Sequence, residues 1–111
     1  MAPRLVITSG EPAGIGPDLC VMIAQQRWSA TLVVAADPAL LRERAVALKL
    51  PLKLIEVGQE LPAQPSEPGS LFVLAHPLDT VAKAGQTDPG NARYALRLLD
   101  TAIEGCRNGA F

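Results

Sequence analysis

The chain has one histidine, His76, and two cysteines, Cys20 and Cys106, with neither a CxxC nor an HxxxH spacing. Structural zinc sites draw four ligands from closely spaced Cys and His pairs, so this segment assembles no such site from its own cysteines and histidine. Long apolar runs are missing as well: none approaches the roughly 18–20 residues that a membrane span requires. An excess of one charge is absent too. Ten basic residues stand against eleven acidic ones, scattered along the chain, which removes the electrostatic case for sequence-independent nucleic-acid binding. The opening, "MAPRLVITSG", lacks the apolar stretch and small-residue cleavage site of a secretory signal. A cytoplasmic location is expected on that ground. Cys20 and Cys106 are then expected to be reduced, half-buried residues on helices rather than a disulfide.

What is present is material for a core: 49% of the 111 residues are hydrophobic, in the length of one domain. Residues 4–8, "RLVIT", read as a short buried strand, an unbroken aliphatic run that stops at glycine. A helix is predicted over 17–27, "PDLCVMIAQQR". Pro17 suits its first position, Asp18 favours the positive end of the helix dipole, and Leu19, Met22 and Ile23 recur at helical spacing. "ATLVVAAD", 30–37, is a second strand, and "PALLRERAVALKL" a second helix opened by Pro38, with Leu40, Leu41, Ala45 and Leu48 as its buried stripe.

"LKLIEV", 52–57, gives a third strand, and "LFVLA", 71–75, a fourth; the turn formers of "GQELPAQPSEPGS" between them predict an irregular surface connection. "HPLDTVAKAGQTDPGNAR" reads as a long exposed excursion, a kind of segment that often carries function. From Pro89 or Asn91 to Asn108, the spacing of Tyr94, Leu98, Thr101, Ala102 and Gly105, with Leu99 and Ile103 beside it, predicts an amphipathic helix. Strands alternating with helices predict an α/β fold, a mostly parallel sheet with helices on both faces. Ligands of such sheets sit at the carboxyl ends of the strands, where the loop after the first strand lies.

That loop, "SGEPAGIGPD" (9–18), packs three glycines and two prolines into ten positions. Its spacing, G-x-x-x-G-x-G, matches neither G-x-G-x-x-G nor G-x-x-x-x-G-K-[ST]. Pro17 removes one donor at the helix start, and Glu11 would repel a phosphate held close. Two readings stay open. In one, the glycines adopt positive φ and the prolines stiffen a tight strand-to-helix turn. In the other, the glycines let a ligand approach the backbone of a cleft wall to which Glu11 lends a carboxylate.

"VITSGEPAGIGPDL" closely resembles the opening of the 4-hydroxythreonine-4-phosphate dehydrogenase family, NAD-dependent enzymes of pyridoxine and hence pyridoxal phosphate biosynthesis. The resemblance continues through "TLVVAADPALLRERAVALKLPLKL", "AGQTDPGNARYAL" and "AIEGCRNGAF", covering the whole chain; "GIGPD" is also a distant echo of the isocitrate and isopropylmalate dehydrogenases. It implies the amino-terminal part of a two-domain, isocitrate/isopropylmalate-dehydrogenase-like fold, with the active-site cleft between domains and two subunits in a homodimer. The reaction implied is oxidation of a phosphorylated hydroxyamino acid, 4-phosphooxy-threonine, by NAD or NADP, followed by decarboxylation of the β-keto acid. A divalent metal held by histidines (zinc, magnesium or cobalt) polarises the reacting oxygen, and the nicotinamide supplies the redox chemistry.

By the same resemblance Gly10, Glu11, Gly14 and Gly16 line the cleft, while the metal-binding histidines and a substrate-binding His-Thr pair fall beyond Phe111, in chains about three times longer. Residues 1–111 are therefore expected to be an amino-terminal segment, with no catalytic or metal-binding residue of its own and no dehydrogenase activity alone. An unpaired sheet edge and a half-covered last helix accord with this expectation. Two other functions stay open at this level. One is a sister dehydrogenase acting on a sugar acid phosphate or an aromatic dihydrodiol, and the other is a non-catalytic α/β binding module.

The remaining polar residues read more plainly. His76, at the end of the fourth strand, is a surface residue or a satisfied hydrogen-bonding group before it is a substrate contact. Asp88 and Asn91 read as helix caps, and Asp79 lies in the excursion with them. Trp28 anchors the end of the first helix. Arg42, Glu43 and Arg44 form a water-facing charged surface, and nothing in their spacing singles out Lys83 or Arg93.

Overall fold

Four aliphatic runs become the strands β1 (Arg4–Thr8), β2 (Thr31–Ala36), β3 (Lys53–Glu56) and β4 (Ser70–Ala75), and the periodic segments become α1 (Gly16–Ile23), α2 (Pro38–Leu48) and α3 (Ala92–Arg107). The computed structural model describes residues 3–58, 60–62 and 64–111. All strand pairs are parallel, in the order β1-β2-β4-β3, with Val33 beside Val6 and Phe72, and Leu54 beside Leu71. The central strand β2 is buried along its whole length, as a strand covered on both faces must be. The α/β reading of the sequence holds: helices lie on both faces of one parallel sheet.

Alternation along β2 divides the core. Leu32, Val34 and Ala36 point to the face covered by α1 and α2, where they pack with Cys20, Ala24, Leu41, Leu71 and Val73. Ala35 points the other way, to Tyr94 and Leu98 of α3, which lies over β1 and β2. The connection before β4 is pinned from inside: Leu32 N donates to Ser66 Oγ (2.9 Å), the buried Thr31 hydroxyl donates to the carbonyl of Gln64, and Gly69 N donates to Ala24 O (2.7 Å).

Several boundaries and faces differ from the sequence expectation. Helix α1 stops at Ile23 rather than Arg27 because Trp28 Nε1 donates to the Ile23 carbonyl (2.7 Å), closing the helix end as an anchor. Gly16 starts α1, so Pro17 takes the second position. The buried face of α1 carries Pro17, Cys20 and Val21, whereas Leu19 and Met22 are about half exposed and only Ile23 of that apolar spacing packs against the core. Helix α2 ends at Leu48, where Lys49 adopts the left-handed conformation (φ 58°), and Leu48 is only half-buried. Cys20 is buried and its thiol is pushed up to about 11 by desolvation, but Cys106 is exposed; both are free.

Arg44 is not part of a water-facing surface either. Its guanidinium grips the Asp18 carboxylate (Nε to Oδ1 2.5 Å, Nη2 to Oδ2 3.1 Å), tying α2 to the first turn of α1, while Arg42 and Glu43 face water as expected. On α3, Tyr94, Leu98 and Gly105 are buried and Leu99 and Ile103 are exposed.

Candidate functional site

Because the strands are parallel, the residues that follow β1, β2 and β4 meet at one edge. These are the 9–15 loop, Asp37, and the segment opened by His76. Each is fixed by side-chain-to-backbone bonds. Asp37 caps α2, its Oδ1 accepting from Ala39 N (2.8 Å), while its Oδ2 accepts from Leu78 N (2.8 Å). Asp37 N in turn donates to the hydroxyl of Tyr94 (2.9 Å), which ties α3 to the end of β2. Desolvation raises the Tyr94 phenol above its ordinary range. The buried Ser9 hydroxyl makes no hydrogen bond with the described residues.

The 9–16 loop is tightly wound. Glu11 closes it locally, its Oε1 accepting from Ala13 N (3.2 Å) and its carbonyl accepting from Gly14 N (3.0 Å). Of its three glycines only Gly10 has positive φ (+73°), so the reading in which all three do is corrected. Gly16 is required for a different reason: a Cβ there would sit 1.9 Å from the Ser9 carbonyl oxygen, so the start of α1 presses directly on the end of β1. At Gly14 a Cβ would meet the Glu11 carbonyl at 3.3 Å. The loop touches the long excursion through Gly85 N, which donates to Ala13 O (2.9 Å).

That excursion is less exposed than its composition suggests, since Ala82 and Asn91 are buried. Asp88 caps a single 3₁₀ turn, Pro89–Asn91, by accepting from Gly90 N (2.8 Å). Asn91 does not cap α3. Its side chain turns back, Oδ1 accepting from Asp79 N (3.1 Å) and Thr80 N (3.0 Å) and Nδ2 donating to Thr80 O (3.1 Å). Arg97 reaches the Asp79 carboxylate (3.2 Å) and Pro77 O (2.9 Å) from α3. His76 Nε2 pairs with Thr101 Oγ1 (3.0 Å), so His76 is a satisfied hydrogen-bonding group; burial, then the Arg97 charge, holds its imidazole below the ordinary range.

The structure therefore gathers Gly10, Glu11, Gly14, Gly16, Asp37, His76, Asp79 and Asn91 at one edge of the sheet. The sequence reading missed Asp37, although "ADP" before a helical run is the same Asp-Pro signal that marked Asp88 in "TDP". The Tyr94 hydroxyl and Arg97 carried no local signal. A groove of about 340 Å³, lined by Asp37, Leu40, Glu43, Asp79, Thr80 and Ala82, opens at this edge. The larger groove, about 730 Å³, lies elsewhere, between Leu74 of β4 and Thr101, Gly105 and Phe111 at the end of α3. Among the described residues no three His, Cys, Asp or Glu side chains come together as a metal cage, and no helix is long and apolar enough to cross a membrane.

The sequence and the fold find close counterparts among known proteins. The chain is 50% identical over 98% of its length to a 4-hydroxythreonine-4-phosphate dehydrogenase of Thioalkalivibrio sulfidiphilus, and 53% identical over 97% to one of Erwinia tasmaniensis. It spans 33% of the length of each of these two curated relatives. The crystal structure of 4-hydroxythreonine-4-phosphate dehydrogenase from Klebsiella pneumoniae superimposes with a TM-score of 0.83 at 25% identity, covering 99% of this chain and 34% of that one. No family model matches. The resemblance read from "VITSGEPAGIGPDL" onward is thus borne out in sequence and in fold.

Proposed function

We propose that residues 1–111 are the amino-terminal α/β segment of a longer dehydrogenase that oxidises 4-phosphooxy-threonine with NAD or NADP, the product then losing carbon dioxide, in pyridoxal phosphate biosynthesis. The observation that carries this reading is identity of about half over nearly the whole chain to dehydrogenases of which it spans only a third. In this reading the enzyme is a cytoplasmic homodimer and the glycine loop walls a cleft completed by residues outside the segment. Gly10, beside which a Cβ would meet only open space, lets the backbone run close to a ligand, Gly16 lets the start of α1 pack directly on Ser9, and Glu11 stiffens the loop by accepting from Ala13 N.

A divalent metal (zinc, magnesium or cobalt) belongs to this reaction as the group that polarises the reacting oxygen. The described residues of the segment do not fit it, since no acidic, cysteine or histidine cluster converges and the sole histidine is engaged with Thr101. Its ligands, and the groups that move protons, are assigned to the remainder of the polypeptide. The test is direct. With NAD or NADP, 4-phosphooxy-threonine and each of the three metals, the longer polypeptide should form reduced nicotinamide, and the isolated 111-residue chain should form none. Turnover by the isolated chain would refute the assignment.

A further inference from the structure

Residues 80–91 form a loop whose two ends meet. Thr80 Oγ1 donates to Asp88 Oδ2 (3.3 Å), and Asn91 bonds the backbone of both Asp79 and Thr80. The neck is tight: a Cβ on Gly90 would lie 2.7 Å from Thr80 Cγ2. The tip is a narrow turn closed by Gln86 N donating to Lys83 O (2.9 Å), and from it Gly85 N reaches Ala13 O. Closed loops of this kind keep their shape through their own internal bonds.

We infer that Asn91 is a positioning residue for the glycine loop: by locking the neck of the 80–91 loop it holds the Gly85 tip against Ala13, and so sets the place of Gly10–Gly16 in the cleft wall. The inference rests on the proposed role of the glycine loop as a cleft wall. Asn91 is suited to this. It is 1% exposed, and one side chain supplies two acceptor contacts and one donor contact to a single dipeptide, satisfying backbone groups that no strand or helix pairs. Asn91 touches no ligand in this account. It acts through residues 79–86, and a displaced wall affects binding steeply, because small misplacements of positioning groups are costly.

The test is made in the longer polypeptide, with Asn91→Ala, Asn91→Asp, and Leu71→Ala as a destabilised control from the opposite face of the sheet. Asn91→Ala should make the Gly85 amide exchange about a hundredfold faster and raise the substrate KM about tenfold, with kcat changed less. Asn91→Asp keeps the acceptor for Asp79 N and Thr80 N but loses the donor to Thr80 O, and should restore part of the protection and of the KM. Leu71→Ala should lower Tm but leave the Gly85 amide and the KM as they were. A Gly85 amide still protected in Asn91→Ala would overturn the inference alone. Lost protection with an unchanged KM would overturn the cleft-wall reading and the inference with it.

Discussion

At the scale of single residues, the glycine loop shows why composition identifies a turn but not the duty of each position. Gly10 is held by its backbone angle and Gly16 by lack of space, and the two needs separate on substitution. Gly16→Ala drives a methyl group into the Ser9 carbonyl and should cost about 2–3 kcal/mol in urea unfolding. Gly10→Ala meets open space and only a strained φ, so about 1 kcal/mol is expected. His76 provides a pH test. The folded protein holds its imidazole neutral below the ordinary value of 6.5, whereas the unfolded chain takes up its proton there. Stability is therefore whole above that pH and declines as pH falls through it, until the lower folded value is passed. The imidazole should titrate by NMR with a midpoint under 6.5, and His76→Gln should lose less Tm than the parent between about pH 7.5 and pH 5.5. A midpoint at or above the ordinary value would contradict the burial argument.

At the scale of elements, the four strands and three helices were legible because strand runs and helical periodicity are local properties. What was not legible depended on distant partners. The apolar spacing of Leu19, Met22 and Ile23 gave the right helix, but Leu19 and Met22 stand half exposed, because Cys20 and Ala24 pack with Val34 and so fix which side turns inward. Trp28 anchors the end of α1 as expected, but its bond to the Ile23 carbonyl closes the helix a turn before Arg27. Asn91 was expected to cap α3 and instead braces residues 79–80, a choice made by the neck of the loop and not by the helix. Arg44 was expected to face water and instead joins α2 to α1 through Asp18, with both side chains less than a third exposed. A double-mutant cycle of Asp18→Asn and Arg44→Gln should give a coupling of about 1 kcal/mol that weakens as salt is raised. A coupling indistinguishable from zero at low salt would mean that packing alone holds the two helices together.

At the scale of the whole molecule, the sheet has a finished side and an unfinished one. Helices α1 and α2 seal one face, but α3 covers only the β1–β2 half of the other, leaving Leu74 beside the open groove and Leu96, Leu99 and Ile103 in water. The resemblance covered every residue of the chain, so the sequence pointed to a dehydrogenase although it holds a single histidine, His76. The cleft-wall role proposed for Gly10, Glu11, Gly14 and Gly16 rests on the resemblance and on a loop at the ligand edge of the sheet, because a wall is defined by what stands opposite it. The central claim is that this chain is about a third of a dehydrogenase, and the intact mass of the polypeptide purified from its native source tests it most directly. The account predicts a mass about three times the 11.7 kDa of this chain. A native product of 11.7 kDa would contradict it and leave a parallel sheet without the rest of its enzyme.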